Sequence, residues 1–186
     1  MAFIDDVKSE LAELEDEKVD ARKAQVTTMI RFAGGFMNNA QKQIVMLATF
    51  DSLIAAQWLK NNIEELYNLE AHLATSTRTT PKGTHQYHVV KVERGAVNLA
   101  VATGLIDRNR AVRGLPAKIV QGKIAQVRAA WRGAFMARGI LSDLGKNPYM
   151  EIICPSNEAA MALAGLARRL GITAKPRQLS KSFRVT

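Results

Sequence analysis

Few side chains in this sequence have the types and spacing that chemistry requires. His85 and His88 lie three apart in a segment that reads as a strand, so alternation sends them to opposite faces and they cannot share a metal ion. His72 stands alone, and each of the three histidines reads as a surface or core residue. Cys154, the single cysteine, sits at a strand end before Pro155 with no base nearby, which suits a buried thiol better than a nucleophile. No Gly-rich phosphate loop, Gly-x-Ser-x-Gly elbow or paired-cysteine motif is present. No catalytic group, metal site or cofactor is therefore expected.

What the chain has in abundance is positive charge, and it is segregated. The whole carries 26 Lys and Arg against 17 Asp and Glu, a net +9. Residues 1–20 hold two lysines and eight acids, so the remaining 166 hold 24 basic and nine acidic side chains. A body of that sign attracts polyanions, of which nucleic acid is the commonest, or docks an acidic protein. A 47% hydrophobic fraction indicates a folded chain, and the apolar runs fall short of the roughly 20 residues that span a bilayer. One cysteine and an acidic N-terminus without a signal-peptide pattern indicate the cytoplasm.

Two glycine-closed helices organise the elements. The stretch Trp131–Gly139 ends a helix rich in small residues, predicted over 124–138, and Thr27–Gly35 is its fainter echo 104 residues earlier, ending a helix predicted over 22–32. The spacing puts Val26, Met29, Ile30 and Ala33 on one face and Ala130, Gly133, Ala134 and Ala137 on the matching face, so the bulky set is expected to seat against the small one. Each closing glycine is expected to take a left-handed cap. Around this spine, a helix over 2–18 turns Phe3, Val7, Leu11 and Leu14 to the body. A single strand-like segment covers 41–50, and Asp51 caps a helix over 52–67 that stops at Asn68. Strands at 71–77 and 84–93 flank a turn at Pro81-Lys82-Gly83, and a short helix covers 96–103. The second half repeats the order, with strand material at 140–141 and 149–154, a helix opened by Pro155-Ser156-Asn157 and ending at Leu170, and strands at 173–179 and 182–185. The chain thus divides into an acidic helix at 1–20, a first half at 21–104, a basic linker at 105–123 and a second half at 124–186 that reads as incomplete.

Helix–strand–helix–strand–strand, twice, around two glycine-closed spine helices, resembles the α+β LAGLIDADG homing-endonuclease fold. Trp131–Gly139 aligns with its nine-residue motif, sharing the glycine at position three and the Ala-x-Gly ending. More closely, the chain resembles the N-terminal domain of the WhiA family of bacterial sporulation and cell-division regulators, with an actinobacterial flavour. The carrying segments are Arg31–Gly35, Thr103–Asp107, Val112–Pro116, Ala130–Phe135 and Ala167–Gly171, spread over most of residues 7–177.

The resemblance implies a transcription factor on a nuclease scaffold. Members act in cell division, chromosome segregation and sporulation, with a WhiB-type iron–sulfur protein and the transcription machinery as partners and a C-terminal helix-turn-helix domain, absent from these 186 residues, as the main reader of duplex DNA. Homing endonucleases place a metal-binding acid at the eighth motif position, occupied here by Gly34 and Arg138, so the catalytic acids are expected to be lost. Asp143, beyond the second spine helix, reads as a loop acid. By analogy with the endonuclease sheets, Arg78, Lys82, Lys91, Lys175, Arg177 and Arg184 would meet phosphates, and the linker set Arg108, Arg110, Arg113 and Lys118 would form a second patch for an acidic protein. The expected function is a non-catalytic scaffold and partner-docking domain with weak nonspecific DNA affinity, nucleoid-associated in the cytoplasm. The alternatives are a protein-interaction module that never meets DNA and, last, a residual metal-dependent nuclease.

Overall fold

The computed structural model describes residues 3–14, 18–142, 145 and 147–186. Helix α1 (Phe3–Ala12) precedes two copies of one unit. The first comprises α2 (Val19–Ala33), β1 (Gly34–Asn38), β2 (Ile44–Phe50), α3 (Leu53–Tyr67), β3 (His72–Thr80) and β4 (Gly83–Val92). After α4 (Ala96–Thr103), β5 (Ile106–Asp107), β6 (Arg110–Ala111) and α5 (Ala117–Val120) comes the second unit. It comprises α6 (Ile124–Arg138), β7 (Gly139–Leu141), β8 (Met150–Cys154), α7 (Asn157–Arg169), β9 (Pro176–Leu179) and β10 (Ser182–Val185).

The two four-stranded antiparallel sheets have the same order, β1-β2-β4-β3 and β7-β8-β10-β9. Each lays one face on the helices. Strand alternation places Met46, Ala48 and Phe50 of β2 and His88, Val90 and Val92 of β4 inward, all buried. Ile152, Cys154 and Val185 do the same in the second sheet. The chain is therefore α+β, but each half reads helix–strand–strand–helix–strand–strand, where the sequence marked both leading strands only in the second half, at 140–141 and 149–154. The unmarked one in the first half is β1. Its two glycines weaken any strand signal in the sequence, and pairing with β2 in the register Gly34↔Ala48 supplies what local preference lacks. The second sheet has all four strands, but among the described residues the second half has no counterpart to α4, and β9 and β10 are four residues long where β3 and β4 are nine and ten.

Helix ends show where short-range reasoning erred. Ser52, not Asp51, caps α3 by accepting from the Ala55 amide at 3.2 Å, and Ser156 caps α7 from the Ala159 amide at 3.1 Å. The two serines lie 104 residues apart, a clear mark of the repeated unit. Neither spine helix closes on a left-handed glycine: Gly34 has φ 174° and Gly139 φ −70°. Both are glycine for want of room. A Cβ on Gly34 would sit 1.9 Å from the Leu47 carbonyl oxygen, and one on Gly139 2.3 Å from the Phe135 ring. Helix α1 is shorter than predicted, and Phe3 and Leu14 are exposed while Ile4, Val7 and Leu11 pack on the core. The segment between the halves is not a bare linker, since it folds into the β5–β6 hairpin and α5.

Candidate nucleic-acid interface and the end of the spine

The spine helices α2 and α6 pack along their lengths, and all eight residues of the expected stripes are buried. Their pairing differs in detail. A Cβ on Gly133 would lie 2.7 Å from the backbone oxygen of Gln25, so the glycine admits α2's main chain and not its bulky side chains. Gln25 is buried at this seam, donating to Met136 Sδ at 3.2 Å and accepting from Arg132 at 3.1 Å. Sequence reasoning missed Gln25, because a glutamine beside an apolar stripe looks like a solvated position.

At the C-terminal end of the spine stands Arg138. One guanidinium nitrogen donates to the carbonyl oxygens of Thr49 at 2.8 Å and Ala137 at 3.1 Å, and the other to that of Ala33 at 3.3 Å. These carbonyls belong to β2 and to the last turns of α6 and α2, where main-chain acceptors lack intrahelical donors and the helix dipoles are negative. One cation thus ties both helix ends to the first sheet. Burial pushes its pKa down and the nearby Asp51 carboxylate pulls it back up. Helix ends set Ala33, not Gly34, opposite Arg138, and neither position holds an acid.

A second cation reaches the same place. Lys8 of α1 is 6% exposed, its pKa lowered by burial and by Arg138 and raised by Asp51 and Asp5. A divalent ion placed there would meet two positive side chains. Among the described residues, no group of three or more His, Cys, Asp or Glu is arranged to hold a metal. Asp143 lies outside the described residues. Nothing in the sequence pattern separates Lys8 from the solvated lysines; only the packing of α1 on α3, α6 and β7 buries it.

The outer faces of the two sheets, turned away from the helices, carry five of the six basic residues expected at phosphates. On the first sheet, Arg78 pairs across strands with His85, and Lys91 with His72. Lys82 occupies the exposed tip of the β3–β4 hairpin. On the second, Arg177 faces Arg184 across β9 and β10, and Lys175 continues the same face two residues earlier. Acids temper two of them. Lys91 pairs with Glu93, and Arg184 with Glu151 at 2.6 Å. Arg78, Lys82, Lys175 and Arg177 are exposed and have no ion pair among the described residues.

The linker set does not form one patch. Arg108 and Asn109 make the tip of the β5–β6 hairpin, both with positive φ (48° and 63°), and Arg110 follows on β6. Arg113 offers its carbonyl to Arg31 Nη2 at 2.6 Å and to the Ser156 hydroxyl at 2.9 Å. Lys118 is spoken for: its ammonium donates to the Ala102 carbonyl at the end of α4, and burial lowers its pKa. Arg31, whose Nε also donates to the Gly114 carbonyl at 3.0 Å, clasps α2, the linker and the start of α7 together.

The remaining candidates stay structural. His88 is buried with Nδ1 2.8 Å from the Thr75 hydroxyl, while His85 is exposed on the opposite face. Burial pushes the Cys154 thiol up to about 12, so it holds no thiolate at neutral pH.

Comparison with known proteins points one way. A family model described as the WhiA N-terminal LAGLIDADG-like domain matches residues 19–106, and another described as the WhiA LAGLIDADG-like domain matches residues 127–186. Over its whole length the chain is 54% identical to the probable cell division protein WhiA of Bifidobacterium longum subsp. infantis, and it spans 59% of that relative. Among solved structures it is similar to the N-terminal LAGLIDADG domain of a WhiA protein, with a TM-score of 0.72 and 14% identity over 99% of this chain and 82% of that one. It is also similar to I-DmoI in complex with DNA and Mn, with a TM-score of 0.58 and 13% identity over 90% and 89% of the two chains. At these identities the structural likeness speaks for the fold. Among the described residues, no helix is long and apolar enough to cross a membrane.

Proposed function

The chain belongs to the WhiA family, and on that premise we propose that residues 1–186 are a non-catalytic scaffold and docking domain of a DNA-binding transcription regulator of cell division, chromosome segregation and sporulation. Its own contact with DNA is weak and nonspecific, made by phosphates lying along the outer sheet faces. Sequence readout belongs to a helix-turn-helix domain of the kind the resemblance implies for the rest of a longer WhiA protein. A WhiB-type iron–sulfur protein and the transcription machinery are the partners this reading requires, and the bacterial cytoplasm, at the nucleoid, is where it operates.

The observation that carries the non-catalytic reading is Arg138. A metal-dependent nuclease needs carboxylates at the spine end to bind cations beside the scissile phosphate. Here a guanidinium bonded to three carbonyls occupies it, with Lys8 alongside. The DNA half of the reading rests on the four cations of the sheet faces and hairpin tip that have no ion pair among the described residues. Phosphate contacts of that kind supply affinity without sequence information.

Titration of a fluorescent 20-base-pair duplex at several salt concentrations tests the DNA half, and a plasmid-nicking assay tests the non-catalytic half. Four phosphates neutralised at about −0.9 each give a log–log slope of about −3.6, expected to be the same for unrelated duplexes. Absence of binding at low salt would leave a domain that only meets proteins. Mg²⁺-dependent nicking of a plasmid, lost on Asp143→Asn, would overturn the non-catalytic reading.

A further inference from the structure

Between α4 and the β5–β6 hairpin lies an open cleft of about 430 Å³. Val101 of α4, Ile106, Val112 and the buried Leu115 give it an apolar lining, and Asp107 and Lys118 line it as well, the latter's ammonium held by the Ala102 carbonyl. Val101 is 66% exposed and Val97, one turn earlier on the same helix, 53%. Two β-branched aliphatics at i and i+4 on an open helix face are a poor solution for a surface that meets only water. Arg108 lines the cleft from the hairpin tip, and Arg110, outside the lining, follows on β6 opposite Asp107.

Three features separate this cleft from the sheet faces. Its elements, α4 and β5–β6, have no counterpart in the second half among the described residues, so the repeated scaffold does not require them. The guanidinium groups of Arg108, Arg110 and Arg113 have no hydrogen bond or ion pair among the described residues, and residues 104–123 hold five basic side chains against the single acid Asp107. Finally, a two-residue hairpin tip with both φ positive suits Asn-Gly, and here its first position is Arg108 at φ 48°. Backbone strain is borne to hold an arginine at the rim.

We infer that this cleft is a docking site for an acidic amphipathic helix of a partner protein, which seats one or two aliphatic or aromatic side chains between Val101 and Ile106 and lays its carboxylates on Arg108 and Arg110. The charge selects the sign of the partner and the apolar floor selects a peptide over a nucleic acid, since phosphates have no use for Val101, Ile106 and Leu115. The inference deepens the docking half of the function proposed above and is independent of the DNA half.

The test uses the 186-residue chain, isotope-labelled for NMR, and a synthetic 18-residue peptide with leucines on one helical face and glutamates on the other. A peptide of the same composition in scrambled order and a 20-base-pair duplex are the comparators. The amphipathic peptide is expected to shift amides within residues 97–118 and to bind at micromolar concentration. Val101→Asp and the double change Arg108→Glu with Arg110→Glu should each weaken it at least tenfold, with thermal melts checked against the parent. Neither change should alter the salt slope for duplex DNA, so loss of peptide binding and loss of DNA binding are read separately. Failure of the amphipathic peptide to bind overturns the inference. So does equal binding of the scrambled peptide, indifference to Val101→Asp, or a duplex that shifts the same amides.

Discussion

The two halves of this molecule share a plan and differ in what each adds to it. Helix, two strands, helix and two strands recur in the same sheet order, with capping serines 104 residues apart. Yet the spine between them is built unequally. Helix α2 contributes Val26, Met29, Ile30 and Gln25, whereas α6 contributes Ala130, Gly133, Ala134 and Ala137, and only α6 ends in a cation. The first half also carries a hairpin about twice as long as its counterpart, and α4 packs on its β2 and α2. Paired catalytic acids need two equivalent helix ends, and here one end offers a carbonyl and the other the guanidinium that binds it. The shared plan sets the architecture; the inequalities place a structural clasp, Arg138 on three carbonyls, at one end of the spine.

The unequal spine can be broken most forcefully at Gly133. Leucine there must displace Gln25's main chain, so Gly133→Leu is expected to lower stability by about 3 kcal/mol or more, seen in denaturant or thermal melts. The matching change on α7, Gly165→Ala, meets nothing within 4 Å and should raise stability by about 0.5 to 1 kcal/mol through helix propensity alone. Parental melting of Gly133→Leu would mean that the helices do not approach as closely as Gln25 and Gly133 require.

Arg138 comes next. Arg138→Met keeps the aliphatic stem but strands the Thr49, Ala137 and Ala33 carbonyls. A loss of about 2 kcal/mol is expected from acceptors left without a charged donor. A variant as stable as the parent would show that water serves these carbonyls equally well, and the clasp would lose its meaning.

The smallest effect concerns Lys8, which α1, an element outside both repeated units, brings to the spine end. Burial lowers its pKa in the folded chain below the ordinary 10.5, so the unfolded chain binds the proton more tightly. Stability therefore rises with pH between the folded value and 10.5. Lys8→Met removes that penalty and should be modestly more stable than the parent at pH 7, the gap narrowing as pH approaches 10. Melts at pH 7, 9 and 10 with a constant gap would contradict a buried, charged Lys8.

Much of this molecule was legible before any coordinates, and the illegible parts share a cause. Helices α4 and α6 were read to the residue because periodicity and bounding glycines are local signals. Strand β1 was not, because Gly34 and Gly35 carry no strand preference and only Leu47 and Ala48, more than ten residues on, make them one. The cap of α3 went to Asp51 instead of Ser52 because both residue types cap equally well in sequence. Of the basic residues, the sequence distinguishes none. The extended backbone sets Lys91 beside Glu93 two residues on, while tertiary pairing joins Arg184 to Glu151, ties Lys118 to α4, and leaves Arg78, Arg177 and Arg108 without an ion pair among the described residues.

By itself, the sequence determined the charge segregation, the duplicated order of elements, and the lack of an acid at the end of either spine helix. Those properties reside in single residues or in spacings of a few residues. Only the tertiary structure decided that Arg138 binds carbonyls from three elements, that Gln25 lies in the seam against Gly133, that Lys8 is buried beside them, and that an apolar cleft opens beneath Arg108. Apart from the bond of Arg138 to its neighbour Ala137, the seam and spine-end contacts join residues many tens of positions apart, and local preference carries no information at that range; the chain had to close on itself before they existed.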